Sequence, residues 1–258
     1  MKAKVLVATH KPYNFPDDPL YQPIEVGAAL RDIHTGYLHD DGGEHISDKN
    51  TSYSEMTALY YAWKNGLFED MEYCGLVHYR RYFRGSLPFK GASILSQQDL
   101  TELMQDCDIL VPKKRNYWIE TIEKHYQNAH YPKDLKIAEE ELLRLSPEYH
   151  EAFREVMKGT KLHLYNMFVM SPKHFDAYCG WIFPLLFAVE KHVDISGYDA
   201  YQRRIFGFLA ERLFNVWVLY QMKTKGVHLK EHSVVNIEGE NLLLKALGVL
   251  GRKLRKKM

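Results

Sequence analysis

Cysteine is scarce in this sequence. Its 258 residues include three cysteines, Cys74, Cys107 and Cys179, widely separated and without a C-x-x-C pair. An odd count at such spacing excludes a disulfide framework, argues against a zinc site and fits a reducing compartment. No charged and apolar leader precedes the first strand-like segment, which predicts a chain without a signal peptide. No apolar run reaches the ~18–20 residues of a spanning helix; together these predict a cytoplasmic protein. The phosphate-cradling signatures G-x-G-x-x-G and G-K-[ST] are missing, so a dinucleotide fold and a P-loop enzyme both lack their anchor. Neither charge is in excess: 34 Lys and Arg face 33 Asp and Glu, for a formal net charge of +1. Six of the cations, Lys245, Arg252, Lys253, Arg255, Lys256 and Lys257, lie in an acid-free end, and subtracting them from +1 leaves −5 for the rest. A general nucleic-acid binder is more basic over its folded part, so nucleic acid is not an expected partner.

Aromatic residues are plentiful, with 18 Tyr, which favours a site that stacks on rings or sugars. Hydrophobic residues make up 46%, enough for a sizeable core, and the length suits one large domain or one domain with a helical annex. Tyr73 to Phe83 reads Y-C-G-L-V-H-Y-R-R-Y-F. Its first half, to Val77, is short, apolar and partly β-branched, as a buried central strand is. Its second half turns at once to His78, Tyr79, Arg80 and Arg81. Two adjacent guanidiniums are not buried without partners. The strand is therefore expected to end there, at the rim of an open α/β sheet, where ligands bind beyond the carboxyl ends of the strands. Arginines set among rings suit a phosphorylated, partly planar ligand; an exposed basic turn is the plainer alternative.

Lys4 to Ala8 has the same form and runs into Thr9, His10 and Lys11, a common nucleotide position or simply a polar strand exit. A strand from Cys107 to Val111 leads to Pro112, Lys113, Lys114, Arg115, Asn116, Tyr117 and Trp118, a second cationic and aromatic exit. Another, from Leu164 to Met170, carries Asn166 inside an apolar run. Val26-Gly27-Ala28 leaves room for backbone to approach a ligand. The polar stretch His39 to Asn50 holds Asp40, Asp41, Glu44, His45 and Asp48. Clustered carboxylates can bind hard cations, but this spacing matches no EF-hand and a solvated loop explains it.

Ser52-Tyr53-Ser54-Glu55 reads as a capping box, with Ser52 at the N-cap and Glu55 at N3 of a helix from Tyr53 to Asn65. Glu55 then has a structural explanation. Asp99 to Gln105 reads as a short helix, Asp134 to Lys158 as a charged, peripheral helical annex, and His174 to about Lys191 as a long helix. His125 and His130 are five apart, off the i, i+4 spacing of a helical metal site. In the stretch Asp199 to Gln221, Glu211 lies among Phe208, Leu209, Leu213 and Phe214. Apolar neighbours raise a carboxyl pKa and suit a general base, whereas pairing with Arg212 or Arg204 would make it structural. Leu242 to Met258 has the pattern of a basic amphipathic helix. Such an end can lie on an anionic membrane, dock on its own domain or stay unstructured.

Several motifs occur together: A-T-H-K at Ala8 to Lys11, Y-x-P-I-x-V-G-A at Tyr21 to Ala28, I-S-D-K-N at Ile46 to Asn50 and Y-x-E-x-T-A-L-Y-Y-A-W-K-N at Tyr53 to Asn65. They are followed by G-L-V-H-Y-R-R-Y-F at Gly75 to Phe83 and G-F-L-A-E-R-L-F-N-V-W at Gly207 to Trp217. In order and spacing they resemble the bacterial DUF4422 family over roughly Lys4 to Trp217, H-Y-R-R-Y-F being the most specific part. Members of that family are described as capsular or exopolysaccharide synthesis proteins and regarded as glycosyltransferases, some of them galactofuranosyltransferases. The resemblance implies an α/β, GT-A-like fold: a mixed, mostly parallel nucleotide-binding sheet flanked by helices, with a helical annex and a basic C-terminal helix. One domain would cover 1–240, with a nucleotide-sugar half to about 118 and an acceptor half from about 119; residues 241–258 would form the tail.

Carried onto these motifs, the resemblance implies donor contacts from Thr9, His10 and Lys11, from Val26 and Gly27, from Asp48 and Asn50, and from His78, Tyr79, Arg80 and Arg81. Outside these motifs, acceptor or diphosphate contacts are expected from Lys113, Arg115, Trp118 and His125 and from Asn166 and Arg204, with Gly207 of the last motif beside them. Most GT-A enzymes carry a D-x-D metal motif after the strand that here is Tyr73 to Val77, where this chain has His78-Tyr79-Arg80. Asp106-Cys107-Asp108 spells D-x-D at the start of a strand, the wrong end for a site. No required Mn or Mg ion is therefore expected, and Arg80, Arg81 or Lys113 to Arg115 would neutralise the leaving diphosphate. An inverting enzyme needs a carboxylate to take the acceptor's proton; Glu211 is the first candidate, with Asp48 and Asp41 behind it.

The expected function is transfer of a sugar from a nucleotide-sugar donor, UDP-linked and in its narrowest form UDP-galactofuranose. The acceptor would be a growing lipid-linked capsular, exopolysaccharide or O-antigen glycan at the inner membrane face, met through the basic tail. The alternative from another class is a non-catalytic carbohydrate- or nucleotide-binding accessory protein of polysaccharide assembly. A cytosolic phosphotransferase or nuclease would need a metal cluster that these residues do not assemble.

Overall fold

Alternation along the strands decides the layers. In the computed structural model, which describes residues 2–238, strand β1 (Ala3–Thr9) turns Leu6 and Ala8 to one face and Val5 and Val7 to the other, all buried. Strands β2 (Tyr21–Glu25), β3 (Leu38–His39) and β4 (Tyr73–His78) follow. After them come β5 (Arg81–Phe89), β6 (Ala92–Ile94), β7 (Ile109–Pro112) and the short pair β8 (Arg115–Asn116) and β9 (Lys161–Leu162). Strands β10 (Phe168–Met170), β11 (Leu229–His232) and β12 (Val234–Asn236) complete the set.

The main sheet runs β11-β7-β10-β4-β1-β2-β3. Every strand in that row points the same way except β10, which is antiparallel to both β4 and β7. The expected mixed, mostly parallel sheet is thus the one found. Gly75 permits its centre: a Cβ there would lie 2.4 Å from the Phe168 carbonyl oxygen on β10.

Helices cover both faces. On one side lie α1 (Asn50–Tyr53) and α2 (Met56–Lys64); α3 (Gln97–Leu103) covers the other. The expected capping box at Ser52–Glu55 does not form. Ser54 has a left-handed φ of 53°, which breaks the expected helix in two, and the Asn50 side-chain amide caps the break by donating to the Ser54 carbonyl at 2.8 Å. Ser52 instead donates to the Lys49 carbonyl at 3.1 Å, and Glu55 makes no capping bond. A true capping box stands at Ser96 and Asp99, at the start of α3.

Helices α5 (Pro132–Leu145) and α6 (His150–Lys158), preceded by α4 (Ile122–Ala129), form the annex expected over Asp134 to Lys158, but it is not peripheral. Leu135, Ala138, Leu142, Phe153 and Met157 are buried in the same core as the long helices α7 (Pro172–Glu190) and α8 (Ile205–Lys225). Two strand expectations also shift. The segment from Leu164 becomes strand only at Phe168, because Tyr165 and Asn166 are left-handed. Arg81 does not lie in an open loop: the chain turns back after Tyr79 and Arg80, and Arg81 begins β5, opposite His78. Among the described residues no helix is long and apolar enough to cross a membrane. The basic end at 241–258 lies outside them.

His163 is buried in this core at 2% exposure, and its Nδ1 donates to the Pro112 carbonyl at 2.6 Å. Burial holds its pKa down at about 4, below the ordinary 6.5. Between those values the unfolded chain binds the proton and the folded chain does not. Stability is therefore complete above pH 6.5 and falls as the pH drops toward 4, with a loss on the order of 3 kcal/mol. Urea unfolding at pH 7 and pH 5 should show about 2 kcal/mol of this loss in the wild type and a smaller one in His163→Gln; equal losses would remove His163 as the cause.

Candidate active site

A cleft of about 780 Å³ opens at the carboxyl ends of β1 and β4. Thr9 and His10 reach it from the end of β1, and His78 to Arg81 from the β4–β5 turn. Ser54 and Glu55 enter from the break between α1 and α2. Because β10 runs against its neighbours, the residues before it, Tyr165 and Asn166, come to this same edge. Arg203, Arg204, Gly207 and Glu211 close the cleft from the start of α8.

Tyr165 and Asn166 have φ of 76° and 50°, two consecutive non-glycine residues in a costly conformation. Their surroundings hold them there. Glu211 Oε1 accepts the Tyr165 N–H at 2.6 Å, and the Tyr165 carbonyl accepts from His78 Nε2 at 2.7 Å. Asn166 Nδ2 donates to Glu55 Oε1 at 2.7 Å and to the Gly207 carbonyl at 3.3 Å. Both partners are pure acceptors, which settles the amide's orientation. The other end of that amide, Asn166 Oδ1, is buried without a hydrogen-bond partner among the described residues.

Glu211 Oε2 accepts from Arg212 Nη1 at 3.1 Å. Burial raises the Glu211 pKa, the Arg212 charge and the Tyr165 N–H oppose that, and the Glu55 charge adds to it. The His78 pKa is lowered by burial, so the ring is neutral and donates from Nε2. His10 is lowered by burial and then by the cations Arg31, Lys11, Arg80 and Arg204. Four guanidiniums line the cleft: Arg80, Arg81, Arg203 and Arg204. The Arg81 guanidinium lies 4.5 Å from the Tyr165 ring centre, and Arg204 Nε donates to Ser54 Oγ at 3.1 Å. A Cβ on Gly207 would stand 3.1 Å from that same Ser54 Oγ, so glycine lets α8 close on the break.

Many of the residues singled out in the sequence meet here: Thr9, His10, Val26 and Asn50, then His78 to Arg81, then Asn166, Arg204, Gly207 and Glu211. Others do not line the cleft. Lys11 sits outside it, 3.8 Å from Glu238 and 4.9 Å from the Tyr79 ring. Gly27 shapes the loop, with its N–H on Asp40 and no room for a side chain beside Asn50. Asp48 is exposed on the turn Ser47–Lys49, and Asp41 contacts His39. Lys113, Arg115, Trp118 and His125 belong to the β7 exit and α4. There the His125 ring lies tilted against Tyr117, with ring centres 4.0 Å apart, and Trp118 is 78% exposed. The insertion of β10 between β7 and β4 displaces that exit sideways by two strand spacings, about 10 Å.

The acidic loop is structural at its centre: buried Asp40 accepts from the Gly27 and Ala28 N–H groups at 3.0 and 3.1 Å and from the Ser47 hydroxyl. Asp108, in the D-x-D sequence, accepts the His228 N–H at 2.8 Å ahead of β7, at the edge away from the cleft. Among the described residues no group of His, Cys, Asp and Glu is arranged to hold a metal ion. Sequence reasoning missed Glu55, Ser54, Tyr165, Tyr198, Arg203 and Phe208 as cleft residues. For Glu55 the only signal was an S-x-x-E pattern that pointed to a cap instead.

The model of the family described as "Domain of unknown function (DUF4422)" matches residues 4–223. Among solved structures, "WbbM bifunctional glycosytransferase apo structure" superposes with a TM-score of 0.86 at 28% sequence identity, over 93% of this chain and 46% of that one. The chain thus spans about half the length of that protein. No curated protein matches it.

Proposed function

The chain belongs to the DUF4422 family, and from that premise together with the chemistry of the cleft we propose that it is a glycosyltransferase. The donor is a nucleotide sugar, UDP-linked, with UDP-galactofuranose as the narrower form. The acceptor is a growing, lipid-linked surface polysaccharide. One observation carries this reading: four arginines and two carboxylates, Glu55 and Glu211, line a single cleft at the carboxyl edge of the sheet. Guanidiniums are suited to holding a diphosphate bidentately, and they offset the charge that develops on it as the sugar leaves. A carboxylate nearby serves the acceptor hydroxyl. The likeness to a bifunctional glycosyltransferase supports the same reading. In this reading the arginines do without a divalent ion. Exposed Trp118 and Ile119, beside Lys113, Lys114 and Arg115, suit an anionic membrane surface that presents the acceptor.

Thermal shifts and nucleotide release test it together. Uridine diphosphate at 100 times its Kd should stabilise the fold by about 2.7 kcal/mol, with the shift preserved in EDTA. Uridine diphosphate should be released from the UDP-sugar only when a glycan acceptor is added, and faster from an acceptor on anionic vesicles than from the same glycan free. Binding without release would point to the accessory role, and a shift that needs Mn would overturn the metal-free form.

A further inference from the structure

We propose that Glu55 is the base that takes the proton from the acceptor hydroxyl, and that Glu211 positions the loop that aims it. This rests on the glycosyltransferase reading above. Both carboxylates line the cleft, and they differ in what their oxygens already do. Glu211 is occupied on both sides, by the Tyr165 N–H and by Arg212 Nη1. A proton taken there would have to displace one of two strong donors, one of them cationic. Glu55 is held on one side only. Its Oε1 accepts from Asn166 Nδ2 at 2.7 Å, and its Oε2 has no hydrogen-bond partner among the described residues.

The backbone is arranged around that free oxygen. Ser54, at a left-handed φ of 53°, breaks the helix immediately before Glu55 and turns its side chain from a capping position into the cleft. On the facing segment Asn166 is left-handed as well, and 3% exposed. Its amide is gripped by the Gly207 carbonyl and Glu55, and the loop that carries it is gripped through Tyr165 by Glu211 and His78. Two strained positions, on segments more than a hundred residues apart, are thus spent on one carboxylate. Glu211, by contrast, stays tied to the fixed cation Arg212 and to the Tyr165 N–H.

The step balances without a cofactor. The acceptor O–H proton moves to Glu55 Oε2 as the acceptor's own oxygen bonds to the anomeric carbon. The bond from the anomeric carbon to the diphosphate oxygen breaks, and its electron pair leaves with the diphosphate, whose charge Arg80, Arg81 and Arg204 meet. One displacement assisted by one base inverts the anomeric configuration.

The wild type is assayed first, for uridine diphosphate binding and for transfer; if it does neither with any UDP-sugar, the glycosyltransferase reading fails and this inference with it. With transfer in hand, Glu55→Gln should lower kcat about 10²–10⁴-fold while the thermal shift with uridine diphosphate stays as in the wild type. Glutamine keeps an acceptor for Asn166, so the loop should hold. Glu211→Gln should lower kcat less, about tenfold, and the product should be inverted by NMR. If Glu55→Gln melts early, Glu55→Asp carries the test, with transfer slowed more than tenfold and donor affinity kept. Transfer by Glu55→Gln within threefold of wild type overturns the assignment. So does a retained configuration, or a deeper kcat loss in Glu211→Gln than in Glu55→Gln at equal stability.

Discussion

Arg81→Ala is expected to lower kcat/KM for sugar transfer about 10²–10³-fold, the cost of removing one preorganised group from a developing negative charge. Arg81 opens β5 directly opposite His78, so its backbone is fixed by the sheet, and its guanidinium lies over the Tyr165 ring at 4.5 Å. A charge held this way needs little reorganisation when the diphosphate leaves. Its neighbours Arg203 and Arg204 are exposed on the short turn Gln202–Arg204, where water screens them more, and their single substitutions should cost less. Arg81→Lys should recover only part of the loss, because an ammonium cannot make the bidentate contact. The measurement is steady-state transfer with donor affinity followed separately. A loss confined to donor affinity, with kcat unchanged, would mean that Arg81 binds the donor without favouring the transition state.

Glu211→Ala is expected to destabilise the protein by about 3–5 kcal/mol, because it strands a buried cation. The Arg212 side chain is 4% exposed and Glu211 is its carboxylate partner at 3.1 Å. What remains is the Phe208 carbonyl at 2.9 Å and the Tyr126 ring at 5.2 Å, neither of which carries a charge. The same substitution releases the Tyr165 N–H from the bond that holds its left-handed turn. In a chain of this length the loss should lower the melting temperature on the order of 10 °C. Glu211→Ala combined with Arg212→Met should recover much of it, since an apolar pair removes the unpaired charge. A single variant that melts with the wild type would show that water reaches Arg212 and that the pair does not hold the site together.

The strand exits were legible because they are local. An apolar run that stops at His78-Tyr79-Arg80-Arg81 must leave the core wherever it lies in the fold. The same holds for Thr9 and His10 after Val5 to Ala8. Glu55 was read less well and the role of Glu211 was left open, each for a reason outside its own neighbourhood. The S-x-x-E pattern at Ser52 to Glu55 meets the local condition for a cap. It fails because Asn50 caps the Ser54 carbonyl and Asn166, 111 positions away, draws Glu55 into the cleft. Glu211 sits among apolar residues, as a base with a raised pKa would. Whether its oxygens were free depended on Tyr165 and on which way Arg212 turned.

By itself the sequence determined the buried strands, the cationic edge, the long helices and the family, because period, charge and motif order are properties of neighbours along the chain. The tertiary structure alone decided which cationic exit forms the cleft. Strand β10 enters antiparallel between β4 and β7, which brings Tyr165 and Asn166 to the edge beside Arg81 and leaves Lys113, Arg115 and Trp118 outside. Sheet order and strand direction come from pairing between distant segments, and no local period records them.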